Sequence, residues 1–269
     1  MPMFILISGL LNKKKTIIIN IKKYLIPYII FDFLYAIWMF IFRNNSSSLN
    51  ILIPTYVYWY ILCLAIMKII YSKKREKYIL IFSIILSIFF LFVEEKIWRI
   101  LSIGRVFLLF PVFILGNHIN EVAKIKTKKY SLYFLLVGLV IIELTLLKMG
   151  LVDYTWATHD YTNEILPLLL KYIYMLFFTP IIFMILRQLL NKENKILCRW
   201  GQNSIVIYLL HPYFIDIIHK VLNLIYIPTI FILIFYIIYA IVISFVLSSK
   251  FCINSYNKII LFASKIIKN

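Results

Sequence analysis

The chain has 269 residues, of which 63% are hydrophobic and only 15% are charged. Soluble domains usually carry about 25% charged residues, so this composition excludes a soluble globular enzyme. The formal net charge is +18, but the lysines and arginines stand in short runs between apolar stretches, as they do in the cytoplasmic loops of membrane proteins. We therefore expect the lipid bilayer as a partner and no nucleic acid.

The apolar stretches predict an all-α fold, a polytopic transmembrane helix bundle of about nine segments. Residues 1–11 form the first segment, which as a helix spans about 16 Å, roughly half of a ~30 Å hydrocarbon core. The other predicted segments follow in chain order: 25–42, 56–70, 78–93, 104–120, 131–149, 165–186, 201–219 and 228–248. We expect them to form a single membrane domain over residues 1–269.

Every second loop is rich in lysine and arginine, and the others are poor in them. The positive-inside rule therefore places the basic loops and the C-terminus in the cytoplasm. This orientation puts residue 1 outside, and the first segment is only half-length. We expect that an earlier helix is missing from the sequence and that the domain is N-terminally truncated. The alternative is that residues 1–11 only dip into the bilayer.

Residues 201–213, GQNSIVIYLLHPY, place several polar groups inside an apolar segment. His211 lies about ten residues, or ~15 Å, from the cytoplasmic end, near the bilayer midplane. Ser204 is seven residues before His211 and Tyr208 is one turn before it, so one helix face presents two hydroxyls and an imidazole. Pro212 lacks an N–H and crowds the carbonyl of Tyr208, which predicts a kink beside the histidine.

Two interpretations of His211 stay open. An imidazole that faces the bundle interior can serve as a general base or as a hydrogen-bond partner of a substrate. Alternatively, the ring only satisfies the carbonyl that Pro212 frees. Ionisable groups at the midplane are costly, which favours the functional interpretation.

The other charged residues within the spans carry weaker signals. Glu143 and Lys171 lie in the outer parts of their predicted helices, where they pair or face an outward cavity, although snorkelling also explains Lys171. Arg105 opens its span and either holds an anionic group or anchors the outer interface. Asp216 has Lys220 four residues later, and a surface ion pair explains them about as well as a site does.

The outer loop over residues 150–164 contains His159 together with Asp153 and Asp160. These residue types bind metals, but no tight HxxH or HxH spacing supports a site. We predict no metal and no resident cofactor.

Five stretches occur in order along the chain: MPMFILISG, KKYLIPYIIF, YWYILCLAI, RVFLLFPVFILG and GQNSIVIYLLHP. Taken together, they resemble motifs of the membrane-bound acyltransferase 3 family, particularly its fucose 4-O-acetylase-like branch. MPMFILISG looks like the family's second helix, and KKYLIPYIIF resembles its basic loop and the Pro-Tyr start of its third helix. YWYILCLAI is similar to a Trp-Phe-Leu helix start, and RVFLLFPVFILG to an Arg-then-Pro-Phe-Phe-Gly helix. GQNSIVIYLLHP resembles a Gly-x-Asn-Ser-x-x-Ile-Tyr-Leu-Leu-His signature. The five motifs occur in the family's order along nearly the whole chain.

The resemblance implies a multi-pass O-acyltransferase of the bacterial cytoplasmic membrane. It would transfer an acyl group, commonly acetyl from cytoplasmic acetyl-CoA, to a hydroxyl of a sugar or surface glycan. His211 would position the acceptor or the acyl carbonyl, and Arg105 would stabilise developing negative charge. The residues predicted to bind the acceptor are Asn203, Ser204, Tyr208, Glu143 and Lys171. The residues predicted to lie near the phosphates of acyl-CoA are Lys13, Lys14, Lys15, Lys22 and Lys23.

The chain departs from the family pattern in two places. The family begins with a helix that carries an arginine and a histidine regarded as catalytic, and this sequence has no counterpart, so the resemblance implies an incomplete or inactive form. His118 also stands where the family usually has an aromatic residue. The alternative function is an exporter or flippase for a glycan or lipid-linked sugar, whose path the inward polar groups would line. The sequence predicts no oligomeric state.

Overall fold

The computed structural model describes residues 1–12, 17–43, 52–71, 75–90, 100–122, 129–148, 165–189, 194–222 and 229–266. Every regular element in these ranges is helical, which confirms the all-α prediction. The α-helices are, in chain order, α1 (Pro2–Leu10), α2 (Ile17–Asn20), α3 (Ile26–Arg43), α4 (Trp59–Ile70), α5 (Glu76–Phe90), α6 (Ile103–Val122), α7 (Lys129–Lys148), α8 (Ile165–Leu189), α9 (Lys195–Gln202), α10 (Ser204–Leu222), α11 (Thr229–Leu247) and α12 (Lys250–Ile266). A π-helical turn, Ile21–Leu25, leads into α3, and a 3-10 turn, Ile100–Ser102, leads into α6.

The predicted spans correspond to helices whose ends lie within a few residues of the predicted ones, because long apolar runs favour helix in a membrane. One exception is the span predicted from residue 201, since Asn203 ends α9 and α10 starts at Ser204. In addition, the residues that follow the last predicted segment form the helix α12.

Some described helices are long and apolar enough to cross a membrane. By length and composition there are three such stretches in the described ranges, Ile17–Phe42, Ile100–Ile119 and Tyr172–Leu189. A fourth results if Ile234–Leu247 and Lys250–Ser264, whose axes differ by 61°, count as one bent span. The nine-segment count and the cytoplasmic C-terminus stay predictions.

The chain divides into two compact units. The first unit consists of Met1–Tyr24, Leu52–Pro54 and Trp59–Asn191. The second unit consists of Leu25–Ile51, Thr55–Tyr58 and Lys192–Asn269. The sequence-adjacent helices α2 and α3 therefore belong to different units.

In the first unit, α1 crosses α6 with the two backbones in direct contact. A Cβ atom on Gly9 would lie 2.0 Å from the carbonyl oxygen of Phe113, and one on Gly116 would lie 2.1 Å from that of Leu6. Only glycine leaves room for this approach. Apolar side chains such as Ile5 and Leu6 are fully buried beside the crossing. Membrane helices commonly pack through small residues in this way, because lipid supplies no hydrophobic drive for helix association.

The second unit is held by hydrogen bonds from tyrosine hydroxyls and a threonine. Tyr35 donates to the Asp216 carboxylate at 2.9 Å, and both side chains are buried. Tyr58 donates to the carbonyl of Leu209 at 2.7 Å. The backbone N–H of Thr55 donates to Asp32 Oδ1 at 2.8 Å. Tyr35 thus links α3 to α10, Thr55 links the turn before α4 to α3, and Tyr58 links that turn to α10. The bonds also give partners to two carboxylates and a carbonyl, which would be costly to bury without them.

Asp216 corrects one of the two sequence interpretations. A surface ion pair with Lys220 requires an exposed carboxylate, but only 4% of Asp216 is exposed. The ammonium of Lys220 instead lies over the ring of Phe42, 4.6 Å from its centroid. The sequence pattern was misleading because an i, i+4 spacing shows which groups can meet on a helix and not which face is buried.

Arg199 holds the corner between α11 and α12. Its Nε and Nη2 donate to the carbonyl oxygen of Ser248 at 3.0 and 2.8 Å. Ser248 follows the last residue of α11, where carbonyls lack helical partners and a positive charge is favourable. The arginine therefore caps α11 at the point where the chain turns into α12.

Candidate active site

His211 lies in α10, which runs through Pro212 as one helix to Leu222. Its Nδ1 lies 2.8 Å from the carbonyl oxygen of Tyr208, the carbonyl that Pro212 leaves without a helical donor, and 3.2 Å from that of Ile207. A carbonyl can only accept, so Nδ1 carries the proton. In the neutral ring Nε2 is then unprotonated and accepts hydrogen bonds.

Each of the two interpretations of His211 concerns a different ring nitrogen. The freed carbonyl accounts for Nδ1. Within the described part of the chain, no protein group is hydrogen-bonded to Nε2. The ring is therefore held in place by its own helix, while Nε2 retains a lone pair that can accept a hydrogen bond.

The predicted acceptor residues on α10 lie along the same helix face as His211. The ring of Tyr208 lies 5.4 Å from that of His211, and its hydroxyl donates to the carbonyl of Val57. Ser204 is exposed at the start of the helix. Asn203 uses its side-chain amide to donate to the carbonyl of Arg199 at 2.9 Å, so it caps the end of α9. The Asn-Ser pair thus forms the junction between the two helices.

Arg105 lies in the first turn of α6 and belongs to the first unit, whereas His211 belongs to the second. Leu101 and Ser102, just before this helix, have positive φ angles of 48° and 54°, which are uncommon for residues other than glycine. Only 8% of Arg105 is exposed, and its guanidinium lies 4.6 Å from the ring centroid of Trp59. The guanidinium is thus buried against an aromatic face, and the choice between holding an anionic group and anchoring the interface stays a prediction.

The predicted acyl-CoA residues are described in part. Lys13, Lys14 and Lys15 lie outside the described residues. Lys22 and Lys23 lie in the π-helical turn, and the ammonium of Lys23 is 5.4 Å from the ring centroid of Tyr24.

The remaining predicted positions are described only by their backbone or not at all. Glu143 lies on α7 and Lys171 on α8, and these helices pack against each other in the first unit. Their side chains lie outside the described residues, so the predicted pairing stays a prediction. The loop with His159, Asp153 and Asp160 also lies outside them.

Three buried or half-buried polar groups escaped the sequence analysis or were misjudged by it. Lys68 lies in the last turn of α4, where its ammonium donates to two groups at the end of α1. Tyr35 and Asp216 form the buried pair of the second unit. A charged residue inside an apolar span was the available signal for Lys68 and Asp216, because such residues are rarely tolerated without a partner.

A comparison with known families indicates the kind of reaction that the chain carries out. The profile of the acyltransferase 3 family, described as an acyltransferase domain, matches residues 1–249. The chain belongs to the acyltransferase 3 family. This acyltransferase 3 protein is accordingly a multi-pass membrane enzyme that transfers groups other than amino-acyl groups. The chain has no match among curated proteins and none among solved structures.

Proposed function

We propose that this acyltransferase moves an acetyl group from acetyl-CoA to a hydroxyl of a cell-surface sugar or polysaccharide, as an enzyme of the fucose 4-O-acetylase-like branch in the bacterial cytoplasmic membrane. Family membership supports acyl transfer by this chain. The observation that carries the choice of a hydroxyl acceptor is the His211 imidazole, whose Nδ1 is occupied by the Tyr208 carbonyl.

The tautomer selects between the two roles predicted for His211. An unprotonated Nε2 cannot donate to an acyl carbonyl, but it accepts the hydrogen bond of a hydroxyl. His211 therefore positions the acceptor hydroxyl. Ser204 and Tyr208, on the same helix face, are the neighbouring acceptor-binding groups, and Asn203 places them by capping α9.

The reaction forms an ester and releases a thiol. The acceptor oxygen attacks the thioester carbonyl carbon, the new C–O bond forms, and the C–S bond breaks. His211 Nε2, which accepts the hydrogen bond of the hydroxyl, takes its proton as the C–O bond forms, and the CoA thiolate finally binds that proton. Arg105 stabilises the negative charge that develops on the carbonyl oxygen. The lysines of the basic loop, Lys22 and Lys23 among them, bind the phosphates of CoA.

A matched pair of histidine variants tests the role of His211 in cells. Base-labile acetate on the surface polysaccharide is measured in cells that express the wild type, His211→Ala or His219→Ala. His219 is an exposed histidine of the same helix, and its Nδ1 lies 3.2 Å from the hydroxyl of Tyr236. We expect His211→Ala to abolish acetylation at unchanged protein level and His219→Ala to preserve it. Full acetylation by His211→Ala would refute its assigned role.

Consumption of acetyl-CoA distinguishes acyl transfer from glycan export. Membranes that contain the chain should release free CoA thiol from acetyl-CoA when a hydroxylated glycan is added. An exporter or flippase moves its glycan without consuming acetyl-CoA. Glycan movement with no thiol release would support the exporter and contradict the proposal.

A further inference from the structure

Lys68 is the point at which three segments of the first unit meet. It is half-buried in the last turn of α4, and its Nζ donates to the carbonyl oxygen of Ser8 and to Oδ1 of Asn12, both at 3.2 Å. The same ammonium lies 5.6 Å from the ring centroid of Tyr24 and 5.4 Å from that of Phe113. One cation thus contacts α1, α6 and the π-helical turn.

The first function of these contacts is to cap α1. The carbonyls in the last turn of a helix have no partners within the helix. The N–H of Leu11 donates to the carbonyl of Ile7 at 2.9 Å, and that of Asn12 donates to the carbonyl of Gly9 at 2.9 Å. Lys68 supplies the donor for Ser8, which lies between them, and a positive charge is favourable at this end of a helix.

Lys68 also holds the segment that carries Lys22 and Lys23, through its backbone carbonyl and through its ammonium. Asn20, only 6% exposed, donates from Nδ2 to the backbone carbonyl of Lys68 at 3.2 Å. Tyr24, two residues after Lys22, carries the ammonium groups of both Lys23 and Lys68 within 5.6 Å of its ring centroid. The chain on either side of residues 13–16 is therefore attached to one residue of α4.

We propose that Lys68 is a positioning residue for acyl-CoA, which orders the basic segment so that Lys22 and Lys23 are presented together to the nucleotide phosphates. Lys68 acts through these lysines, because its own ammonium is engaged by Ser8 and Asn12. Ordering a binding segment before the ligand arrives removes an entropy cost that binding would otherwise bear. The inference rests on the proposed function, in which the basic loop binds the phosphates of acetyl-CoA.

The test is ligand binding to the full chain in lipid nanodiscs, measured by calorimetry with three probes. Acetyl-CoA carries both phosphates and acyl arm, adenosine 3′,5′-bisphosphate carries nucleotide phosphates without the arm, and acetylpantetheine carries the arm without phosphates. We expect Lys68→Met to weaken the first two by about tenfold, which corresponds to ~1.4 kcal/mol, and to leave acetylpantetheine unchanged. Lys68→Arg should retain most of the affinity, since a guanidinium can donate to both oxygens.

Two further variants keep the result interpretable. Lys220→Met removes a cation of the second unit that lies over Phe42 and should change no probe. Asn20→Ala keeps every charge and removes the amide that ties the segment to the backbone carbonyl of Lys68, so it should show the same pattern with a smaller loss. If Lys68→Met does not fold, Lys68→Gln, which keeps a donor for one of the two oxygens but no charge, takes its place.

Each outcome has a separate meaning. Equal losses for all three probes would show general damage to the fold and overturn the positioning role. Wild-type affinity of Lys68→Met for acetyl-CoA would overturn it as well, whatever the result for Asn20→Ala. If the wild type itself binds no acetyl-CoA, the proposed function fails, and the positioning role fails with it.

Discussion

The two units contain different kinds of close contact within themselves. In the first, main chains touch where Gly9 and Gly116 let α1 and α6 approach. In the second, side chains supply the links, as in the buried bond from Tyr35 to Asp216. A main-chain contact leaves no room for added atoms, whereas a side-chain bond is lost when one polar atom is removed. The glycine crossing of the first unit should therefore be sensitive to insertion of volume, and the Tyr35–Asp216 bond of the second unit to deletion of a hydroxyl.

Gly116→Val should have the largest effect, because a Cβ there would lie 2.1 Å from the Leu6 carbonyl oxygen and neither backbone can yield cheaply. Overpacking a core typically costs about 1–3 kcal/mol, and more where the main chain must move. We expect little monodisperse protein in fluorescence-detected size-exclusion chromatography. Gly138→Val is the matched control, since a Cβ on Gly138 has nothing within 4 Å. Equal yields of the two variants would contradict the glycine crossing.

Arg105→Lys should have the next largest effect and separates chemistry from packing in the first unit. The charge is kept, but the planar guanidinium that stacks on Trp59 and its fork of donors are lost. Removing one donor to a developing oxyanion costs roughly 100-fold in turnover, so we expect a loss of about that size at normal protein level. Arg199→Lys, in the second unit, should keep nearly full turnover. Wild-type acetyl transfer by Arg105→Lys would exclude the catalytic role.

Tyr35→Phe should destabilise the second unit moderately. It removes the hydroxyl that donates to the buried Asp216 carboxylate, and the loss of such a bond to a buried group costs about 1–3 kcal/mol. Thermal unfolding in detergent measures the effect. Tyr236→Phe, which removes a bond to the exposed His219, serves as the control and should shift the midpoint much less. Equal shifts would mean that burial of the Tyr35 pair contributes nothing.

His118→Gln should have the smallest effect. Nε2 of His118 lies 2.8 Å from Glu76 Oε1, and 48% of the histidine side chain is exposed. Exposed pairs contribute about 0.2–1 kcal/mol. Burial, together with the nearby Glu76 carboxylate, raises the pKa of the Tyr71 hydroxyl to about 12. A midpoint shift as large as that of Tyr35→Phe would contradict this assignment.

The helices and the contact of His211 with the Tyr208 carbonyl could be predicted from the sequence because their causes are local. Apolar runs between basic loops predict the spans, and Pro212 lies next to the histidine and four residues after the carbonyl it frees. His118 stands where the family usually has an aromatic residue, and its contact with Glu76 is visible only in the structure.

The contacts that the sequence analysis missed join residues far apart in the chain. Tyr35 and Asp216 are 181 residues apart, and Lys68 is 60 residues from Ser8. A single sequence shows that a charged residue stands in an apolar span, but periodicity does not reveal its partner on another helix. The glycine crossing was hidden for the same reason, since neither Gly9 nor Gly116 has a local conformational need that marks it.

Acetyl transfer from labelled acetyl-CoA tests the central claim most directly. Membrane vesicles with the wild-type chain, His211→Ala or His219→Ala are incubated with acetyl-labelled acetyl-CoA and the surface polysaccharide, and ester-linked label on the glycan is counted. We expect label with the wild type and with His219→Ala, and none with His211→Ala. Label transferred equally by all three chains would contradict the role of His211, and a glycan left unlabelled by the wild type would contradict acetyl transfer from acetyl-CoA to this acceptor.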